Sequence, residues 1–155
     1  MAGKQEAAIQ VIAENRRARY DYHLEDRVEA GLVLQGTEIK SIRARHVQLQ
    51  DGYVRIINGE AWLFGVHIAP YEHGNRFNHE PTRPRKLLLH REEIRRLYHQ
   101  VRREGFTLIP TRLYLKNGRA KVEVALARGK KKYDKRQAIA EREAKRRAEA
   151  ARKRR

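Results

Sequence analysis

The chain has 155 residues, enough for one domain with an appendage, and 36 Lys+Arg against 19 Asp+Glu give it a formal net charge of +17. Such an excess repels itself and signals an anionic partner, either nucleic acid or an anionic membrane. No run of about 18 apolar residues is present to span a bilayer, MAGKQEAAIQ lacks the apolar stretch of a signal peptide, and the absence of cysteine excludes disulfides and thiolate metal sites. A soluble cytoplasmic protein that binds a polyanion and no membrane is expected.

In chain order, residues 1–10 read as a flexible N-terminus. Arg19 to Leu24 and Ala30 to Leu34 read as two strands. In GTEIKSIRA, Thr37 is a candidate cap of a short helix, with Ile39 and Ile42 one turn apart. Tyr53 to Ile57 and Ala61 to Ile68 flank Asn58-Gly59, a strong hairpin signal. Pro70 to Lys86 holds three of the four prolines and no apolar period, so a loop is predicted there. Ile94, Leu97 and Val101 share one face of a helix from about Arg91 to Arg103, stopped by Gly105. Leu113 to Lys116 and Arg119 to Leu126 flank Asn117-Gly118, a second hairpin. Val122, Val124 and Leu126 alternate there with Lys121, Glu123 and Ala125, so one face suits a core and the other a ligand. Short strands, tight turns and two small helices predict a mainly β protein built on a small antiparallel barrel of the OB-fold kind.

The composition changes at residue 129. Residues 129–155 carry 13 Lys+Arg and 4 Asp+Glu, and beyond Leu126 the only larger apolar side chains are Tyr133 and Ile139. Such a segment cannot bury enough surface to order itself, although Ala, Glu, Lys and Arg favour helix once something holds them. Asp134 is a candidate cap for that helix. The organisation expected is therefore a barrel over residues 11–128 and a basic tail over 129–155, disordered when free and helical when bound.

Little else in the chain suggests chemistry. His67, His73 and His79 recur every six residues beside Glu72 and Glu80, but that spacing fits neither one helix face nor a compact finger. Ser41 is the only serine and lies in no nucleophile turn, and no P-loop is present. No enzyme, metal or cofactor is expected. Basic runs instead recur at Arg16–Arg19, Lys40–Arg45, Arg83–Lys86 and Lys130–Lys132, interleaved with Tyr20, Tyr22, Tyr71, Phe77 and Tyr133. Cations beside aromatic platforms suit RNA with unpaired or irregular regions. A general single-strand binder or ribosome-associated protein satisfies the pattern equally well.

ENRRARYDY (14–22), GLVLQGTEIKSIRA (31–44), HIAPYE (67–72), PTRPRKLLLHREEI (81–94) and KNGRAKVEVALARGKKKYDKR (116–136) together resemble the SsrA-binding protein family, SmpB. The resemblance runs in the family's order from about Val11 to Arg136. It implies an OB-like barrel with two or three short helices that is no enzyme and acts as a monomer. It implies binding to the tRNA-like domain of transfer-messenger RNA (tmRNA, SsrA RNA), delivered with elongation factor Tu and GTP as the alanyl-charged complex to stalled ribosomes. Glu29, Leu88 and Lys121 match positions the family needs for its RNA complex, and Lys40, Ser41 and Arg43 are further expected contacts. For Leu88, inside a triple-Leu strand, core packing is an equal alternative. Lys130, Lys131, Lys132, Tyr133, Asp134, Lys135 and Arg136 match the part of the tail that enters the decoding centre and the empty messenger channel, where Tyr133 is placed to stack on a ribosomal base.

Overall fold

The structure, a computed structural model, describes residues 8–73 and 77–153, and of residues 104, 130–138 and 153 it describes the backbone alone. Among the described residues nine strands and four helices follow in the order β1 (Ile9–Glu14), α1 (Arg16–Asp21), β2 (Tyr22–Leu32), α2 (Gly36–Arg43), β3 (Val47–Gln48), β4 (Tyr53–Ile57), β5 (Glu60–Phe64), β6 (His67–Ile68), β7 (Arg85–Leu88), α3 (Arg91–Glu104), β8 (Thr107–Lys116), β9 (Arg119–Gly129) and α4 (Lys130–Lys153). All strand pairings are antiparallel. β4, β5, β7, β2 and β9 are neighbours in that order, and β8 pairs with both β9 and β4, so the sheet closes on itself as a barrel. β1 adds to β8, and β3 pairs with β6. The expected mainly β barrel is present. Its interior is filled by the inward residues of these strands, among them Leu63, Leu87, Leu113, Val122 and Val124, together with Ile42 of α2 and Leu97 of α3.

Both predicted hairpins form for the reason their sequences gave. Asn58-Gly59 and Asn117-Gly118 all have positive φ, at 52° and 75° in each pair, which the tightest hairpin turn demands and few other residue pairs tolerate. The α3 helix also matches, and Gly105 caps it in the left-handed region at φ 69°.

Several local expectations are corrected. The segment from Arg19 to Leu24 begins as helix, because the Asn15 side chain accepts from Ala18 N at 3.2 Å and starts α1, whose Ala18 packs on Ile109 and Ala127. The strand then starts at Tyr22 and continues without a break to Leu32, bending at a bulge where Asp26 takes φ 44°. The run from Ala61 to Ile68 is split into β5 and β6 at Gly65, whose φ is +73° and where a Cβ would lie 2.4 Å from the Asp51 carbonyl oxygen. The predicted loop ends early, since Arg85 already belongs to β7. β1 begins at Ile9, inside the segment read as flexible. α4 begins at Lys130, four residues before its expected cap Asp134, and from Ala140 to Arg152 its side chains are exposed.

α2 is not capped by Thr37. Gln35 is the N-cap, and its N–H donates to Glu38 Oε1 at 2.8 Å, so Glu38 closes a capping box. The same carboxylate, wholly buried, accepts from Arg83 Nη2 and Arg85 Nε, each at 2.5 Å. Arg85 is itself wholly buried and also donates to the carbonyls of Val66 at 2.8 Å and Pro81 at 2.9 Å. One carboxylate thus fastens α2, β7 and the long loop to one another. Burial pushes the Glu38 carboxyl up, but the hydrogen bonds from Arg83, Gln35 and Arg85 outweigh it and hold the group below the usual range. His79 adds a second tie, donating from Nε2 to the Ile68 carbonyl at 2.9 Å with Nδ1 2.8 Å from the Thr37 hydroxyl.

Candidate nucleic-acid interface

Three of the expected contact residues meet on the outside of the barrel. Gly31 of β2 is in register with Leu88 of β7 on one side and Lys121 of β9 on the other. Residues in register point to the same face, so Leu88 and Lys121 converge over the glycine. A Cβ on Gly31 would lie 3.3 Å from Leu88 Cβ and 3.7 Å from Lys121 Nζ. The missing side chain is what lets an apolar and a cationic group share this spot. Glu29, two residues earlier in β2, lies on the same face. Leu88 is 56% exposed, which decides its alternatives against the core.

These residues border a groove of about 560 Å³ whose far wall is the first turn of α3, with Lys86 and Glu60 at its β5 side. Glu29 cannot attract phosphate, and the structure gives it other work. Its carboxylate accepts from the Tyr114 hydroxyl and pairs with Lys116 Nζ at 3.3 Å. The Tyr114 bond holds the Glu29 carboxyl below the usual range against the opposing effect of burial, with Lys116 and Lys121 adding to the shift. Burial first, and the neighbouring carboxylate second, push the Tyr114 phenol up, so it stays a donor. Glu29 therefore orients a lysine and a tyrosine. Next to it Glu123, its partner in register, accepts from Thr111 Oγ1 at 2.7 Å and Arg112 Nε at 3.1 Å. The face is a lattice in which each acid fixes cations and leaves their outer sides toward solvent, an arrangement suited to a phosphate backbone.

Sequence reasoning noticed Lys86 only as part of the Arg83–Lys86 run and missed Gly31, Tyr114 and Lys116. The signal for the last two was available: in β8, Arg112, Tyr114 and Lys116 alternate with Leu113 and Leu115 as the polar residues of β9 do with theirs. The register that brings β8 beside Glu29 was not.

The α2 residues do not join the groove. Lys40 and Arg43 are exposed, and Lys40 Nζ sits 5.2 Å from the centre of the Tyr71 ring. Ser41 is corrected as a contact: it is 1% exposed, because Glu38, Ser41 and Ile42 form the inward ridge of α2. Lys130, Lys131, Lys132, Tyr133, Asp134, Lys135 and Arg136 belong to the first turns of α4, and their side chains lie outside the described residues. Among the described residues no three His, Asp or Glu side chains gather as metal ligands.

The model of the SmpB protein family matches residues 12–154, covering the barrel, the groove and α4. The chain belongs to the SmpB family. It is 68% identical over 137 residues to the SsrA-binding protein of Roseiflexus castenholzii, covering 88% of this chain and 87% of that one. It is 63% identical over 144 residues to the SsrA-binding protein of Thermobifida fusca, covering 93% and 90%. A solved structure described as "tmRNA-SmpB: a journey to the center of the bacterial ribosome" superposes with a TM-score of 0.65 at 49% identity, covering 76% of this chain and 83% of that one. In this SmpB-family chain Glu29, Leu88 and Lys121 stand on one outer face of the barrel, and Ser41 is buried.

Proposed function

We propose that this chain binds the tRNA-like domain of tmRNA and delivers it to stalled ribosomes for trans-translation, in which the unfinished peptide is tagged and the ribosome freed. The observation that carries the reading is the convergence of Leu88 and Lys121 over Gly31, with Glu29 holding Tyr114 and Lys116 beside them. Lys121, Lys116 and Lys86 contact phosphate. Leu88 supplies an apolar surface for a ribose or base face, and Glu29 sets the geometry. Lys40 and Arg43 of α2 add contacts outside the groove.

The chain divides functionally into the barrel, which ends at Arg128, and the tail, 129–155. In the free chain the α4 side chains from Ala140 to Arg152 are exposed, so the helix gains little from burial and is readily lost. On the ribosome its Lys130–Arg136 portion enters the decoding centre and the empty messenger channel and folds as helix there. The chain acts as a cytoplasmic monomer, is no enzyme, and meets elongation factor Tu with GTP through the alanyl-charged RNA.

Competition binding at about 0.2 M salt, where non-specific phosphate attraction is much weakened, tests this. The full chain and a chain ended after Arg128 are each offered tmRNA's tRNA-like domain and a size-matched tRNA, and peptide tagging is scored on stalled ribosomes. Both chains are expected to prefer the tRNA-like domain, and only the full chain to support tagging. Equal binding of both RNAs overturns the groove assignment, and tagging by the shortened chain overturns the tail assignment.

A further inference from the structure

α3 joins two concavities. Its first turn borders the groove through Arg91, Glu93 and Ile94, while Tyr98 and Val101 near its other end wall a second pocket of about 280 Å³. That pocket opens at a seam of the barrel. β4 and β8 share one registered pair, Val54 with Leu108, and further along β8 pairs with β1 instead, from Arg112 to Lys116. Beyond Val54, β4 therefore has β5 on one side and, among the described residues, no strand on the other. Phe106, Leu108 and Val54 make an apolar floor.

Two tyrosines stand at the mouth, Tyr53 at 41% and Tyr98 at 39% exposure. Both are already held. Tyr53 stacks on Phe64, with ring centres 5.4 Å apart and 15° between planes. Arg102 donates to the Tyr98 hydroxyl at 2.9 Å and lies 5.5 Å from its ring centre. Rings fixed in advance lose little freedom when another ring stacks on them.

The approach to the pocket is cationic. Arg91, Arg95, Tyr98 and Arg102 fall at i, i+4, i+7 and i+11, one face of α3, and all are exposed. Arg55, also exposed, lines the pocket from β4. No acid interrupts the stripe, which spans about 16 Å and starts at the groove. An apolar protein side chain would match the floor but would leave the arginines unused. A nucleotide supplies a flat apolar ring and a phosphate in one unit.

Resting on the RNA-binding reading, we infer that the Arg91–Arg102 face of α3 carries the RNA backbone away from the groove and that the seam pocket takes one unpaired base, stacked on Tyr98 and Tyr53, with its phosphate between Arg55 and Arg102. This is a base-stacking site separate from the Glu29, Leu88 and Lys121 cluster.

The test uses the full chain and a single-stranded RNA hexamer carrying 2-aminopurine, whose fluorescence falls on stacking, at about 0.2 M salt. The native chain is expected to quench it saturably. Tyr98→Ala and Tyr53→Ala, each checked for an unchanged melting temperature, are expected to weaken hexamer binding about 5- to 100-fold and to remove the quenching. Tyr98→Phe keeps the ring and restores both. Lys121→Ala is expected to lower affinity for tmRNA's tRNA-like domain and to leave the hexamer signal in place, so a failure of the groove reading shows separately. No quenching by the native chain, or undiminished quenching by both folded alanine variants, overturns the inference in favour of a protein side chain as the occupant.

Discussion

Two glutamates anchor two regions of this basic protein in opposite ways. Glu38 is wholly buried at the α2 end of the barrel, where it accepts from Arg83, Arg85 and a backbone N–H. Glu29 keeps 35% of its side chain exposed on the outer sheet, where it accepts from Tyr114 and Lys116. Both carboxyls are held below their usual range. Their surroundings give that shift different consequences. At Glu38 two guanidinium groups are consumed in holding structure, and Arg85 has no exposed surface left. At Glu29 the cations are oriented but stay partly open. An acid in a protein that binds polyanions is thus either a rivet or a positioning group, and burial decides which.

Substitutions separate the two roles. Glu38→Gln leaves Arg85 buried without its counter-charge and is expected to cost about 3–5 kcal/mol of unfolding free energy. Differential scanning calorimetry would register this as a melting temperature about 10 °C lower. Glu29→Gln keeps an acceptor for Tyr114 in a partly solvated site, so chemical denaturation should find it destabilised by less than about 1 kcal/mol. Its affinity for tmRNA's tRNA-like domain is nevertheless expected to fall about tenfold, a factor worth about 1.4 kcal/mol. The reverse pattern, with Glu29 costing stability and Glu38 costing affinity alone, would break the comparison.

Acid sharpens it. A carboxyl depressed on folding contributes stability that is complete above its unfolded value, near 4.5 for glutamate, and is lost as pH falls through the lower folded value. Unfolding free energy should therefore drop below about pH 4.5. Glu38→Gln should flatten that drop more than Glu29→Gln, because Glu38 alone balances a fully buried cation. Denaturant midpoints between pH 3 and pH 6 would measure it. The smallest expected effect is at Lys121: alanine there should reduce the slope of log affinity against log salt by about one and leave the melting temperature within error, as for the loss of a single phosphate contact.

Much of the molecule was legible one residue at a time. Asn58-Gly59 and Asn117-Gly118 could only be tight turns, Gly105 could only end α3, and the Val122, Val124, Leu126 alternation marked a strand with one inner face, because turn chemistry and side-chain period are local properties. The tail's inability to build a core was equally local. What failed was reading that needed a neighbour. Arg19 to Leu24 has strand-like residues, yet Asn15 and the Ile109–Ala127 surface make its start a helix. Ser41 sits in a basic stretch, yet the ridge it shares with Glu38 and Ile42 turns it inward.

The sequence by itself determined the charge and its concentration beyond residue 128, the two hairpins, and the family. Only the tertiary structure decided that Leu88 and Lys121 meet over Gly31, that Glu29 holds Tyr114 and Lys116, and that a seam pocket opens between β4 and α3. Each of these depends on strand register and barrel closure. Those are fixed by pairings between residues tens of positions apart, which no local preference encodes.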